Sequence, residues 1–309
     1  MGIRLDIPVR SSLDPGQAAG YGQFVAAAYD MYDANNKNLY PDPKNIPDGW
    51  ELSAWIHMSD FLFQLRELRF YGIVAHEIAN PDNRIIAIRG TEGLIEWCDD
   101  GASIVMVPFK QSPKAGLVAF GFDNIYSTMK VVPVPRTGPA ERTAVAAPEL
   151  AGSFGDQLEQ LAVLRENERG VAHQFAEGRT RPARPTVVTG HSLGSALAKL
   201  FVMENGVKQK FDVTVISTLA SPKVGNPEFK KAFDALPLTS WRIVNSRDWV
   251  PKLPPTVPSI IDYQHVNVPY SFDSWEMGVK RNPICYHSID TYLHWLDKGR
   301  PLKQECCTG

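Results

Sequence analysis

Long apolar runs are missing from this chain. The longest, such as Ile85 to Ile88 and Val213 to Ile216, fall far short of the roughly 20 residues that a bilayer-spanning helix requires. A protein so built meets lipid, if at all, from the water side. Charge of one sign is not in excess either: 32 Lys and Arg stand against 34 Asp and Glu, a net charge of -2. That balance offers no electrostatic footprint for nucleic acid, so none is expected as a partner. Cysteine is sparse. Cys98, Cys285, Cys306 and Cys307 have neither zinc-ligand spacing nor the look of a disulfide framework, and free thiols are expected. No HExxH or comparable pair occurs among the 7 histidines, so no metal site is expected. The segment Met1 to Asp6 lacks the apolar stretch of a secretory signal. The expected compartment is therefore the cytoplasm if this is the native start, and the exterior if a signal has been removed.

What is present suits a large globular α/β unit. The 309 residues are 44% hydrophobic, enough for a sizeable core, and are read as a single domain spanning 1–309. Pro15 to Tyr32 reads as a helix capped by Asp14. Tyr71 to Ile78 and Arg84 to Arg89 flank an Asn-Pro-Asp-Asn turn and read as a hairpin. Residues 131–152 hold several prolines and no period, which suggests an extended surface loop or insertion. Phe154 to Phe175 reads as a helix, ended by a basic, Pro-containing cluster at 179–185 that is expected to be a solvated connector. Strands at Thr186 to Thr189, Val213 to Leu219 and Trp241 to Val244 alternate with helical stretches. That alternation argues for a mostly parallel sheet with helices on both faces.

One motif carries chemistry. Gly190-His191-Ser192-Leu193-Gly194 lies between the strand at 186–189 and the helix that follows, the context in which G-x-S-x-G presents a nucleophile on a sharp turn. Ser192 is the candidate nucleophile. Gly190 and Gly194 form the elbow because a turn so tight leaves no room for side chains. Ser195, inside the helix, is set aside. The Leu193 N–H, at the helix start, is a candidate oxyanion donor.

A serine nucleophile needs a base and an orienting acid, and in this strand–turn–helix context they follow it with the acid first and the histidine after. Asp248 falls just after the strand at 241–244, where ligands and catalytic groups gather in parallel sheets; Asp234 and Asp262 follow no strand end. Of His265, His287 and His294, the first sits in an alternating, strand-like run from Tyr263 to Tyr270. His287 opens a helical segment and is the candidate base; His294 is about two turns further on. The second oxyanion donor is assigned to the Thr91 N–H, after the strand at 85–88. Beyond it, Leu94, Ile95 and Trp97 form an apolar arc, a candidate lid; a packed surface helix would show the same pattern.

With these residues placed, the chain resembles the class 3 lipases, the family of the filamentous-fungal triacylglycerol lipases. The resemblance rests on Ile85 to Trp97, Gly121-Phe122 with Tyr126, Thr189 to Gly194, and Val244 to Pro255, and runs from about Pro15 to Leu296. It implies an α/β-hydrolase fold, a lid near 91–108 and no cofactor. Ser192, Asp248 and His287 would form the triad, with Thr91 and Leu193 as oxyanion donors. The implied reaction is acyl-enzyme hydrolysis of carboxylic esters, most simply acylglycerols presented at an oil–water interface. Ser195 stands where the family usually has glycine after the elbow, and Ala119 departs from a common family histidine. Rival readings are an esterase for short-chain or aromatic acyl esters, a phospholipase, a serine peptidase, and a lipase-like binding or scaffold protein without catalysis.

Overall fold

The computed structural model describes residues 12–59, 67–91, 105–135, 148–170, 184–256 and 262–307. Helix α1 (Pro15–Ala34) begins as its sequence requires: Pro15 occupies the first turn, and the Asp14 side chain accepts the Gln17 N–H. Strands β1 (Trp50–Ser59), β2 (Leu68–Glu77) and β3 (Arg84–Ile88) follow. β2 and β3 pair antiparallel across the anticipated turn. β1 was not anticipated, because Ser53 and His57 interrupt its apolar pattern. Both polar groups are satisfied by partners outside the strand: Ser53 Oγ bonds His76 Nδ1 at 2.6 Å, and the His57 Nε2–H donates to Leu39 O at 2.6 Å.

The short strands β4 (Met106–Pro108) and β5 (Leu117–Ala119) form a separate pair, and helix α2 (Phe120–Ser127) follows. Residues 131–133 are not loop, as the prolines suggested, but part of β6 (Lys130–Pro133), whose pairing with β1 buries Val131. The segment at 136–147 lies outside the described residues. Helix α3 (Phe154–Glu168) starts with a capping box between Ser153 and Asp156. Its expected extension to Phe175 also falls outside the described residues. Arg184 is not solvated connector: it is buried, and its guanidinium donates to both Glu166 oxygens, at 2.8 and 2.9 Å. Buried guanidinium survives only with such a partner.

β7 (Pro185–His191), helix α4 (Leu193–Lys208), β8 (Asp212–Leu219), helix α5 (Pro227–Asp234), β9 (Thr239–Asn245) and β10 (Pro269–Phe272) complete the sheet. The strand-like run at 263–268 is not a strand; only 269–272 pair with β9, and Gln264 makes a single bridge to Gly225. The order is β10-β9-β8-β7-β3-β2-β1-β6, parallel from β10 to β3 and antiparallel beyond. This is the α/β-hydrolase fold. Period-two alternation feeds two cores: Ile86 and Ile88 point to one, Ile85 and Ala87 to the other. The first core lies under α2 to α5, the second under α1 and the C-terminal helix α7 (Ile289–Leu296). Each fully buried side chain of Leu or Phe size contributes ~1.5–3 kcal/mol.

Between β10 and α7 lies the short helix α6 (Pro283–His287); Ser288 ends it and caps α7. His287 therefore closes one helix rather than opening the next. Cys285 and Cys306 form a disulfide, contrary to the free thiols expected. A separation of 21 residues gives no spacing signature, so only the fold could bring them together. Cys307 is free and exposed. Among the described residues no helix is long and apolar enough to cross a membrane.

Candidate active site

The register of the parallel strands decides what meets at their carboxyl ends. Ile88 of β3 lies opposite Gly190 of β7, His191 opposite Leu219 of β8, and Leu219 opposite Ile243 of β9. Residues 90–91, 192 and 248 therefore emerge side by side from neighbouring strands.

Ser192 stands between β7 and α4 with φ 56° and ψ -128°, a left-handed backbone that a residue with a Cβ adopts only when its surroundings compel it. The compulsion is visible at the flanking glycines. A Cβ on Gly190 would lie 2.6 Å from the carbonyl of Gly194, and one on Gly194 would lie 2.1 Å from Ile88 O. The turn is pinned further by the Ser192 N–H, which donates to Leu219 O at 3.0 Å. Ser195 Oγ, 2.6 Å from Gly190 O and 2.9 Å from Leu219 O, is spent on holding the elbow.

Three side chains distant in sequence touch in series. The Ser192 hydroxyl lies 2.8 Å from His287 Nε2, and His287 Nδ1 lies 2.8 Å from Asp248 Oδ2. With the Nδ1–H donating to the carboxylate, Nε2 is left to accept the serine proton. Asp248 is buried, and its other oxygen accepts the Val250 N–H at 2.9 Å. His265 and His294 lie elsewhere. The His265 Nε2–H donates to Pro251 O at 2.7 Å, in the loop after Asp248, and His294 Nδ1 bonds Arg300 O at 2.5 Å.

Four residues that position this series were not read from the sequence. Tyr292, on α7, donates its hydroxyl to Asp248 Oδ2 at 2.7 Å and accepts the Asn245 N–H at 3.1 Å. Burial first, and the Asp248 charge second, push its phenol well above the ordinary value, so it stays a donor. Asn245 Nδ2 donates to Tyr286 O at 2.9 Å, tying the strand that leads to Asp248 to the helix that carries His287. Its only sequence signal was its place in the Val-Asn-x-x-Asp block. His191 Nε2–H donates to the His287 carbonyl at 2.8 Å, so its Nδ1 accepts from the Tyr29 hydroxyl at 2.8 Å. Burial, with His287 beside it, holds the His191 imidazole well below its ordinary value and keeps it neutral.

The same Tyr29 oxygen accepts the Gly90 N–H at 2.8 Å, linking the elbow to the turn after β3. Arg89 steadies that turn from beneath: its guanidinium donates to Gly90 O at 2.7 Å and sits 3.5 Å from the Tyr32 ring centroid. Gly90 packs so closely that a Cβ there would lie 2.6 Å from the Ser192 Cβ. Thr91 follows it, and Leu193 is buried as the first residue of α4, whose opening amides have no intrahelical acceptor. The lid candidates Leu94, Ile95 and Trp97 lie outside the described residues.

A strained serine above an eight-stranded sheet, linked in series to an imidazole and a carboxylate, places the chain among the α/β-hydrolase proteins. A family model for lipase (class 3) matches residues 85–257, and the chain belongs to that family. Among curated proteins it is 33% identical over 335 residues to a chloroplastic galactolipase, DONGLE, of Arabidopsis thaliana, covering 92% of this chain and 65% of that protein. It is 27% identical over 287 residues to phospholipase A1-II 1 of Oryza sativa subsp. indica, covering 85% of this chain. The chain spans 64% of that rice protein's length. Among solved structures, the lipase of Rhizopus microsporus var. chinensis superposes with a TM-score of 0.53 at 18% identity, covering 88% of this chain and 81% of that one. Nonglycosylated Yarrowia lipolytica LIP2 lipase gives 0.53 at 22%, covering 84% and 79%.

Proposed function

We infer that this protein hydrolyses carboxylic esters of the acylglycerol kind through an acyl-enzyme on Ser192. The observation that carries this reading is the unbroken series Ser192 Oγ, His287 Nε2, His287 Nδ1, Asp248 Oδ2, with 2.8 Å at each hydrogen bond. His287 takes the hydroxyl proton as Ser192 Oγ attacks the ester carbonyl, and Asp248 holds and stabilises the resulting imidazolium. The Leu193 and Thr91 N–H groups receive the oxyanion, each worth about 3–4 kcal/mol in comparable hydrolases. His287 then returns the proton to the departing alcohol. Water, deprotonated by the same imidazole, releases the acid and restores the serine.

Relatives named phospholipase A1 and galactolipase favour acylglycerols with polar headgroups as substrates, and the fungal structures share the fold. The reading is tested by a fluorophosphonate probe together with rates on phosphatidylcholine, a galactolipid and a triacylglycerol. Covalent labelling of the parent but not of Ser192→Ala is expected. A folded parent that does not label, or a Ser192→Ala chain that keeps its rate, removes the reading. Faster turnover of triacylglycerol than of either polar lipid would remove the headgroup preference alone.

A further inference from the structure

The segments that carry the acid and the base also carry side chains whose exposure the site chemistry does not require. Trp249, next to Asp248, is 62% exposed, and Ile284, on α6 just before His287, is 76% exposed. Singly exposed apolar residues are ordinary on water-facing surfaces. The segments that carry them meet, however, since Asp248, beside Trp249, bonds His287, three residues after Ile284, and cations lie beside both segments. Lys252 Nζ lies 5.0 Å from the Trp249 ring centroid. A third aromatic, Trp275, is 39% exposed and held from below by its Nε1–H, which donates to Tyr286 OH at 2.8 Å. Two guanidiniums flank its ring, Arg247 at 3.4 Å and Arg281 at 4.3 Å.

Tryptophan beside Lys or Arg is the pairing that seats at a lipid–water boundary. The indole occupies headgroup level, and the cation meets phosphate. The charges leave a local surplus. Arg247 is paired with Asp273, and Glu276 is the exposed carboxylate on the same turn, while Lys252 and Arg281 have no ion pair among the described residues. The protein as a whole is slightly acidic, so this positive rim is not a consequence of bulk charge.

We propose that this rim, Trp249 and Lys252 on the acid side with Trp275, Arg281 and Ile284 on the base side, docks the protein on anionic lipid surfaces. It would thereby bring Ser192 to the lipid from a fixed part of the fold. The proposal deepens the hydrolase reading and rests on it for its biological purpose, but binding is measured without turnover.

The test uses the Ser192→Ala chain and sedimentation with two vesicle types, pure phosphatidylcholine and phosphatidylcholine with about a third phosphatidylglycerol. The expected result is at least tenfold tighter binding to the anionic vesicles, a preference that disappears in about 0.5 M salt. Lys252→Gln with Arg281→Gln should weaken anionic-vesicle binding by about 25-fold, roughly fivefold per cation. In the Ser192 background the same pair should leave turnover of a water-soluble short-chain ester unchanged. Trp249→Ser with Ile284→Ser should weaken binding to both vesicle types. Equal binding of the parent to the two vesicles overturns the proposal. So does parent-like binding by the Lys252→Gln/Arg281→Gln chain, or loss of its soluble-ester turnover. A Ser192 chain that turns over no ester while its Ser192→Ala form binds anionic vesicles removes the hydrolase reading and keeps the rim. The converse removes the rim and keeps the hydrolase.

Discussion

Tyr292 donates its hydroxyl to the same Asp248 oxygen, Oδ2, that faces His287 Nδ1; the two bonds are 2.7 and 2.8 Å long. The carboxylate is thus clamped from both sides, with Val250 N–H on its other oxygen at 2.9 Å. The imidazole owes its orientation to a carboxylate that has little freedom to rotate.

Tyr292→Phe removes one of these clamps and strips the Asn245 N–H of its acceptor. A buried amide left without a partner costs about 1–3 kcal/mol. The expected result is a drop of that size in urea-unfolding stability, with kcat down about tenfold and KM little changed, since no substrate contact is lost. A variant with unaltered kcat would show that the remaining Val250 bond suffices to hold the acid.

The left-handed backbone at Ser192 makes a second expectation. A non-glycine residue in such a region costs on the order of 1–3 kcal/mol, held in place by the packing of its neighbours. Ser192→Ala keeps the Cβ and so keeps the cost, whereas Ser192→Gly releases it. Both should be inactive, and the glycine variant should unfold at higher urea than the alanine variant, by roughly 1 kcal/mol in stability. Equal midpoints would mean that the turn is not strained at this position.

Stability should fall on mild acidification. Burial is the leading cause that holds His57, His191 and His265 below the ordinary histidine value of 6.5, His265 as low as about 2. Each therefore stays neutral in the folded chain while the unfolded chain takes up a proton as pH drops through 6.5. Above that value these groups contribute no pH dependence. Below it the unfolded state binds more protons, and stability declines until the folded-state values are reached. Urea titrations at pH 7.5, 6.5 and 5.5 should show a plateau above 6.5, then a loss of about 2–3 kcal/mol by 5.5. A flat response across that interval would contradict the neutral, buried state of these rings.

The Cys285–Cys306 bond ties the C-terminal segment to α6 across a separation of 21 residues. In the chain-entropy account such a link contributes roughly 3 kcal/mol by restricting the unfolded state. Cys306→Ser should lower stability by about that amount, and reductant should lower the parent to the same level without affecting the variant further. Because α6 ends in His287, a partial fall in kcat is also expected, read by assay at matched temperature. Full activity in the reduced protein would show that the Thr291 hydroxyl, bonded to Cys285 O at 2.6 Å, and the Asn245 bond hold the helix unaided.

What the primary structure determined by itself were features written in contiguous residues. The strand–turn–helix around Ser192 was legible because Gly190 and Gly194 mark a turn too tight to admit side chains. The capped start of α1 and the hairpin of β2 and β3 were legible for similar local reasons. The candidate acid and base were chosen from order and setting, Asp248 after a strand and His287 at the opening of a helical stretch, although His287 in fact closes α6.

Only the tertiary structure decided the rest, because the reasons lie in residues far apart along the chain. β1 was hidden by Ser53 and His57, polar side chains whose partners are His76 on β2 and Leu39 in the loop before β1. Arg184 looked like part of a solvated basic stretch until Glu166 was brought against it. The cysteine pair and the bonds that Tyr29, His191, Asn245 and Tyr292 make around Asp248, His287 and the turn at Gly90 have the same character. A hydrogen bond, an ion pair or a disulfide between distant residues leaves no period and no motif, since its energy depends on the distance between groups that only the folded sheet makes neighbours.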